Sequence, residues 1–245
     1  MSPVTVIALA AIVVVEEGSP RNEATLAVPR SRPIVIDGTL EESEWRGSAV
    51  VRRPEGDVLL RHDGRYLYVG VRALRRGFPS VCFARGETVR IAHSSFALGD
   101  VVYTKNGSSW RLGAPFAWAH PAPTSGAEAE QQRARFLEEH GWVGSTVVMG
   151  DPQHAEIQIA LDQLDPRDLR IGVAFLMEDD GRGERIASWP RAMRDDCGND
   201  RLVRGYAPER LTFRKKTWTK LSLAPATTGA KRAPKPRLTP KPATA

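Results

Sequence analysis

The stretch from Pro33 to Leu74 constrains the fold more than any other part of the chain. A short apolar segment, Ile34-Val35-Ile36, runs into an acidic turn that ends at Trp45. Two runs of strand chemistry follow, joined by Asp63-Gly64. In extended backbone successive side chains point to opposite faces, so Val58, Leu60 and His62 share one face and Leu59 and Arg61 the other. The Asp-Gly pair supplies the positive φ that a tight hairpin turn needs, and Tyr66 to Val71 resumes the strand pattern. This is the opening of a β-sandwich.

The same punctuation continues. Val81 to Arg85, Glu87 to Ser95, Asp100 to Lys105, Ser109 to Leu112, Trp142 to Met149, His154 to Leu161 and Leu169 to Met177 are short, rich in Val, Ile and aromatics, and bounded by Gly, Asn, Asp or Pro. Lys105 to Ser108 and Asp179-Asp180-Gly181 read as hairpin turns. One segment departs from this pattern. Ser125 to His140 carries good helix formers, with Ser125 at the N-cap, Glu128 completing a capping box and Gly141 as a stop. Its apolar positions Ala129, Phe136 and Leu137 are few, which places it on the surface. The fold class expected is mainly β, an antiparallel β-sandwich of jelly-roll or immunoglobulin-like type with one surface α-helix.

Charge matters mainly through its location. The chain of 245 residues has a formal charge of +6, but the stretch from Arg214 to Ala245 holds nine Lys or Arg and no acid. Taking those nine from the total leaves residues 1 to 213 at −3, which removes the case for a specific nucleic-acid binder. From 214 to 245 the sequence becomes rich in Pro, Ala, Thr and Lys, the composition of a disordered tail, with weak attachment to an anionic partner as its functional alternative. At the other end, Val4 to Val15 is an uninterrupted apolar run, long enough for a signal h-region and too short to span a bilayer. No Lys or Arg precedes it and Glu16-Glu17 follow, so a hydrophobic edge strand is the alternative. Export to a secreted or periplasmic location is expected. The domain plan is therefore a signal-like segment and linker at 1–31, a sandwich at 32–213 and a basic tail at 214–245. Two cysteines, Cys82 and Cys197, allow one bridge in an oxidising compartment, and their spacing leaves the pairing open.

The phrase IDGTLEESEW, then a strand, Asp-Gly and LYVGVRA, resembles the start of the family 9 carbohydrate-binding module-like domains, within the wider DOMON-like group. HAEIQIALDQL is similar to that family's strand in which a Glu precedes an amphipathic pattern, with Ala160 where a Pro is usual. LRIGVAFLMEDDGRGERIASWP is similar to its following hairpin. The matched parts span about Pro33 to Pro190 around a divergent middle. The resemblance implies a non-catalytic module that binds a carbohydrate. A haem-carrying DOMON-like electron-transfer domain and a ligand-free interaction sandwich are the alternatives.

A sugar site needs flat aromatic faces and planar polar side chains for the hydroxyls. Of the six tryptophans, Trp45, Trp142 and Trp189 read as core. Trp110 and Trp118 lie in SSWRLGAPFAWAHPAP, whose Pro, Gly and Ala suggest an irregular surface, so they are the stacking candidates. Arg111, His120 and Asn106 are the polar candidates, and Glu156 either joins them or braces a neighbouring Arg from a strand face. The five histidines show no HExxH or other paired zinc spacing. Haem would draw on His62, His93 or His154 with Met149, Met177 or Met193. Family 9 modules carry structural calcium, and the acidic loop Arg194 to Asp200 offers Asp195, Asp196, Asn199 and Asp200 for it, without a defined calcium-loop spacing. No cofactor is expected. Nucleophile-elbow, phosphate-loop and dinucleotide signatures are absent, and the acids select no catalytic pair, so no enzyme is expected.

Overall fold

Strand pairing organises the chain in the computed structural model, which describes residues 25–119, 126–147, 153–178 and 183–225. The apolar run Val4 to Val15, the turn Asp179-Asp180-Gly181, Ser125, Met149, His120 and the chain beyond 225 lie outside the described residues.

In chain order the elements are β1 (Leu26–Val28), α1 (Glu42–Trp45), β2 (Ala49–Arg53), β3 (Gly56–His62), β4 (Tyr66–Ala73), β5 (Gly77–Arg85), β6 (Thr88–Ser94), β7 (Leu98–Asn106), β8 (Ser109–Ala119), α2 (Ala127–His140), β9 (Trp142–Val147), β10 (Gln153–Ala160), β11 (Arg170–Glu178), β12 (Glu184–Trp189), α3 (Asp200–Val203), β13 (Arg210–Leu211) and β14 (Thr219–Leu223). They form a five-stranded sheet, β2-β3-β4-β10-β9, and a nine-stranded sheet, β1-β14-β11-β5-β6-β7-β8-β13, with β12 also paired to β11. Pairs within both sheets are antiparallel except β1 with β14, which is parallel. Leu60, Val69 and Ile157 of the first sheet and Val81, Phe83, Ile171 and Val173 of the second belong to the core between them. The antiparallel β-sandwich expected from the strand pattern is the fold.

The five-stranded sheet is also covered on its outer face, and the nine-stranded sheet over part of its own. Residues 34–45 fold over the five-stranded sheet, where Ile34, Ile36, Leu40 and Trp45 are buried. Gly70 makes room: a Cβ there would meet Leu40 at 2.8 Å and the Trp45 ring at 3.0 Å. The Asp63-Gly64 hairpin forms as its chemistry requires. Asp63 Oδ1 accepts from the Arg65 and Tyr66 N–H groups, both at 2.7 Å, while Gly64 takes φ +100°.

Three expectations need correction. The helix α2 starts at Ala127 after Gly126, with no side-chain cap, and Glu128 is hydrogen-bonded by Gln132 in its own first turns instead of closing a capping box. Its stop is as read: Gly141 is left-handed at φ +71° and its N–H donates to Leu137 O. β8 continues as a strand to Ala119 through a region read as irregular. Register shifts against β7 between Asp100 and Val102 and between Val102 and Tyr103 take up the extra residues and accommodate Pro115 and Gly113. The sandwich also extends past both bounds of 32–213, since β1 and β14 pair with each other at its edge and Trp218 is buried. Among the described residues, no helix is long and apolar enough to cross a membrane.

Candidate functional site

Among the described residues, the outer face of the nine-stranded sheet is half closed and half open. Met193, Cys197, Leu202, Val203, Phe213 and Trp218 pack over Cys82, Val89, Ile91, Val101, Tyr103 and Trp110. The Cys82–Cys197 disulfide pins this layer to β5, which settles the pairing that spacing left open. Gly172 gives it space, because a Cβ there would come 2.1 Å from Met193 Sδ.

Beyond this layer, where β5 and β7 begin and β6 and β8 end, the same face presents aromatic side chains. His93 of β6 is the centre. Its ring lies 5.6 Å from Trp118 at 87° and 6.3 Å from Phe116 on β8, and 6.4 Å from Phe78 on β5. Phe116 and Trp118, two residues apart and so on one strand face, stack at 5.1 Å with an interplanar angle of 20°. Phe96, in the turn between β6 and β7, meets Phe78 edge-on at 5.4 Å. Trp118 is 46% exposed and Phe96 73% exposed, a concentration of large apolar groups in water that a sandwich does not need for packing.

The position of Trp118 is built by two glycines. Gly99, its cross-strand partner on β7, would drive a Cβ to 2.5 Å from the ring, so the indole lies across bare backbone. Gly205 meets the other end of the ring, where a Cβ would come to 2.6 Å. Beneath the rings His93 is buried, and its Nδ1 shares a 2.8 Å hydrogen bond with Ser80 Oγ. Burial pushes the imidazole down to about 4, so it is neutral at physiological pH.

The other residues singled out by the sequence lie elsewhere. Trp110 is buried in the covered half, edge-on to Phe213 at 5.7 Å with Lys215 Nζ over its ring. It is a packing residue, which corrects its reading as a stacking face. Arg111 pairs with Arg210 at the sheet edge, and Asn106 sits at the β7–β8 turn, about 30 Å along β8 from Trp118 by strand rise. Neither is brought to the aromatic face.

Glu156 is likewise corrected. It is fully buried on the outer face of the five-stranded sheet beneath Trp45. Its Oε2 accepts from the Asp37 and Gly38 N–H groups at 3.0 and 2.9 Å, and its Oε1 from Trp45 Nε1 at 2.8 Å. It braces a loop, not an Arg. Burial pushes its carboxyl up to about 8 against the pull of those three donors.

The acids assigned to calcium also diverge. Asp196 accepts from the Cys197 and Arg214 N–H groups, Asn199 caps α3, Asp195 pairs with Arg214 and Asp200 with Arg204. His62 and His154 hold backbone groups of Ala224 and Leu40. Among the described residues, no group of three or more His, Cys, Asp or Glu is arranged to hold a metal ion.

Phe78, Phe96 and Phe116 escaped the reading of the sequence, and His93 was singled out there only as a haem ligand. The alternation Phe116-x-Trp118 was the available signal, hidden by Pro115 and the neighbouring glycine and alanines.

No family model matches the sequence, nor does any curated protein. Among solved structures, a family 9 carbohydrate-binding module from Caldicellulosiruptor kristjanssonii in complex with cellotriose is similar over 86% of this chain and 100% of its own, at 13% identity and a TM-score of 0.42. The same module in complex with glucose is similar over 85% of this chain and 100% of its own, at 14% identity and a TM-score of 0.43. What the chain is similar to, in fold, is a family 9 carbohydrate-binding module.

Proposed function

We propose that this chain is a non-catalytic carbohydrate-binding module whose binding face is the open aromatic half of the nine-stranded sheet. The observation that carries the reading is Trp118, a half-exposed indole held flat over Gly99 in an uncovered strand face, with Phe116, Phe78 and Phe96 around it. The C–H face of a pyranose ring is apolar and stacks on such a surface, while its hydroxyls need partners at the edges. Rings fixed on paired strands make the face preformed, so binding involves little rearrangement and is weak for short ligands.

The Cys82–Cys197 bridge supports an oxidising compartment and, with the apolar run Val4 to Val15, export. The family resemblance of the IDGTLEESEW and HAEIQIAL segments points to the same class of ligand.

The test is a titration of intrinsic tryptophan fluorescence with glucose, cellotriose and a panel of other neutral oligosaccharides. A saturable change is expected for at least one of them. Trp118→Ala should weaken it about tenfold or more while leaving thermal unfolding close to that of the parent, because the ring is half in solvent. Absence of a saturable response across the panel overturns the proposal.

A further inference from the structure

We propose that His93 is the polar anchor of the aromatic face and that it makes the face selective for an uncharged, hydroxyl-bearing ring over an anionic one. This rests on the carbohydrate-binding reading and adds a residue and a ligand class to it.

His93 is only 4% exposed, yet among the described residues its one hydrogen-bond partner is Ser80, on Nδ1. The opposite ring nitrogen, Nε2, has no protein partner there and is not sealed from solvent. An imidazole is an unusual choice for a floor of aromatic rings, and this nitrogen is the polar point on it where a ligand hydroxyl can take the place of water. The strand order places His93 between two aromatic groups, Phe78 with Phe96 on one side and Trp118 with Phe116 on the other. A ring lying against either group brings its edge hydroxyls over the imidazole. A hydroxyl both donates and accepts, so it satisfies Nε2 in whichever tautomer the Ser80 bond selects.

Charge completes the argument. The imidazole is neutral, and the ring faces around it carry the negative side of their quadrupoles. Arg204, adjacent to Gly205 at the edge of Trp118, is engaged by Glu184 and Asp200. A carboxylate brought into this face would lose water against π faces and a neutral nitrogen.

The experiment is calorimetric titration of the full chain with cellotriose and with trigalacturonate, for the parent and for His93→Phe, His93→Gln and Trp118→Ala. Near-ultraviolet circular dichroism and thermal unfolding check each fold. The expected result is that cellotriose binds the parent at least about tenfold tighter than trigalacturonate, that His93→Phe loses roughly tenfold, and that His93→Gln, whose amide can reach the same point, recovers most of the loss. A folded His93→Phe that binds as the parent does, with Trp118→Ala still impaired, overturns the anchor and leaves the carbohydrate reading standing. Equal affinity for the two trisaccharides overturns the selectivity. Loss of cellotriose binding in the His93→Phe and His93→Gln variants alike, with both folded, overturns the hydrogen-bonding role. Absence of binding of either trisaccharide to the parent overturns the inference, and the wider sugar panel then decides the carbohydrate reading separately.

Discussion

Glu156 shows how much one side chain can organise. A carboxyl group closed inside the fold is held by three N–H donors from Asp37, Gly38 and Trp45, so the loop carrying Trp45 is fixed by a residue more than a hundred positions further on. Its folded-state pKa of about 8 lies above its ordinary value of 4.5, so the folded protein holds this proton more tightly than the unfolded chain does. The stabilising contribution is therefore complete below about pH 4.5, declines as pH rises towards 8 and is constant above. Urea midpoints measured from pH 5 to pH 9 should fall over that window, and Glu156→Gln should flatten the fall. Glu156→Ala, which strands three buried donors, should cost on the order of 3 kcal/mol at pH 5 and progressively less as pH rises through that window. The sequence marked Glu156 as either brace or ligand. Its partners could not be read because two of them are backbone groups, which have no sequence signature, and the third, the Trp45 indole, lies more than a hundred positions away in the chain.

Between strands, the contrast of Trp110 with Trp118 carries the lesson. Both stand on β8, and local sequence makes them equal candidates. What separates them is the layer carrying Phe213 and Trp218, which folds back over Trp110 and stops short of Trp118. Hairpins such as β3–β4 were legible because Asp63-Gly64 and alternation act within a few residues, and β8 was not, because Gly113 and Pro115 signal a break that the register shifts absorb. Two predictions belong at this scale. Gly99→Ala should displace the Trp118 ring, alter the near-ultraviolet dichroism of tryptophan and cost about 1–3 kcal/mol in denaturant unfolding. Replacing Cys82 and Cys197 together by serine should cost about 2–5 kcal/mol, read as a lowered urea midpoint under non-reducing conditions.

At the scale of the molecule, the feature that closes the fold is the parallel pair β1–β14, in which residues near each end of the described chain become neighbours. Leu26 and Val28 are buried there, and His62 Nε2 meets Ala224 O at 3.1 Å. Leu26→Ala and Val28→Ala together should cost about 3–5 kcal/mol from lost aliphatic packing and should lower Tm accordingly. This closure was not legible because β1 is three residues long and its partner TKLSL sits among the basic residues assigned to a tail. It also sets how the protein can be mounted. Six strand spacings separate β1 from β8, about 29 Å across the sheet. A neighbour joined before Leu26 or after Leu223 is thus fastened along one rim, and the indole of Trp118 is turned outward near the opposite rim, free to meet a surface too large to enter any pocket.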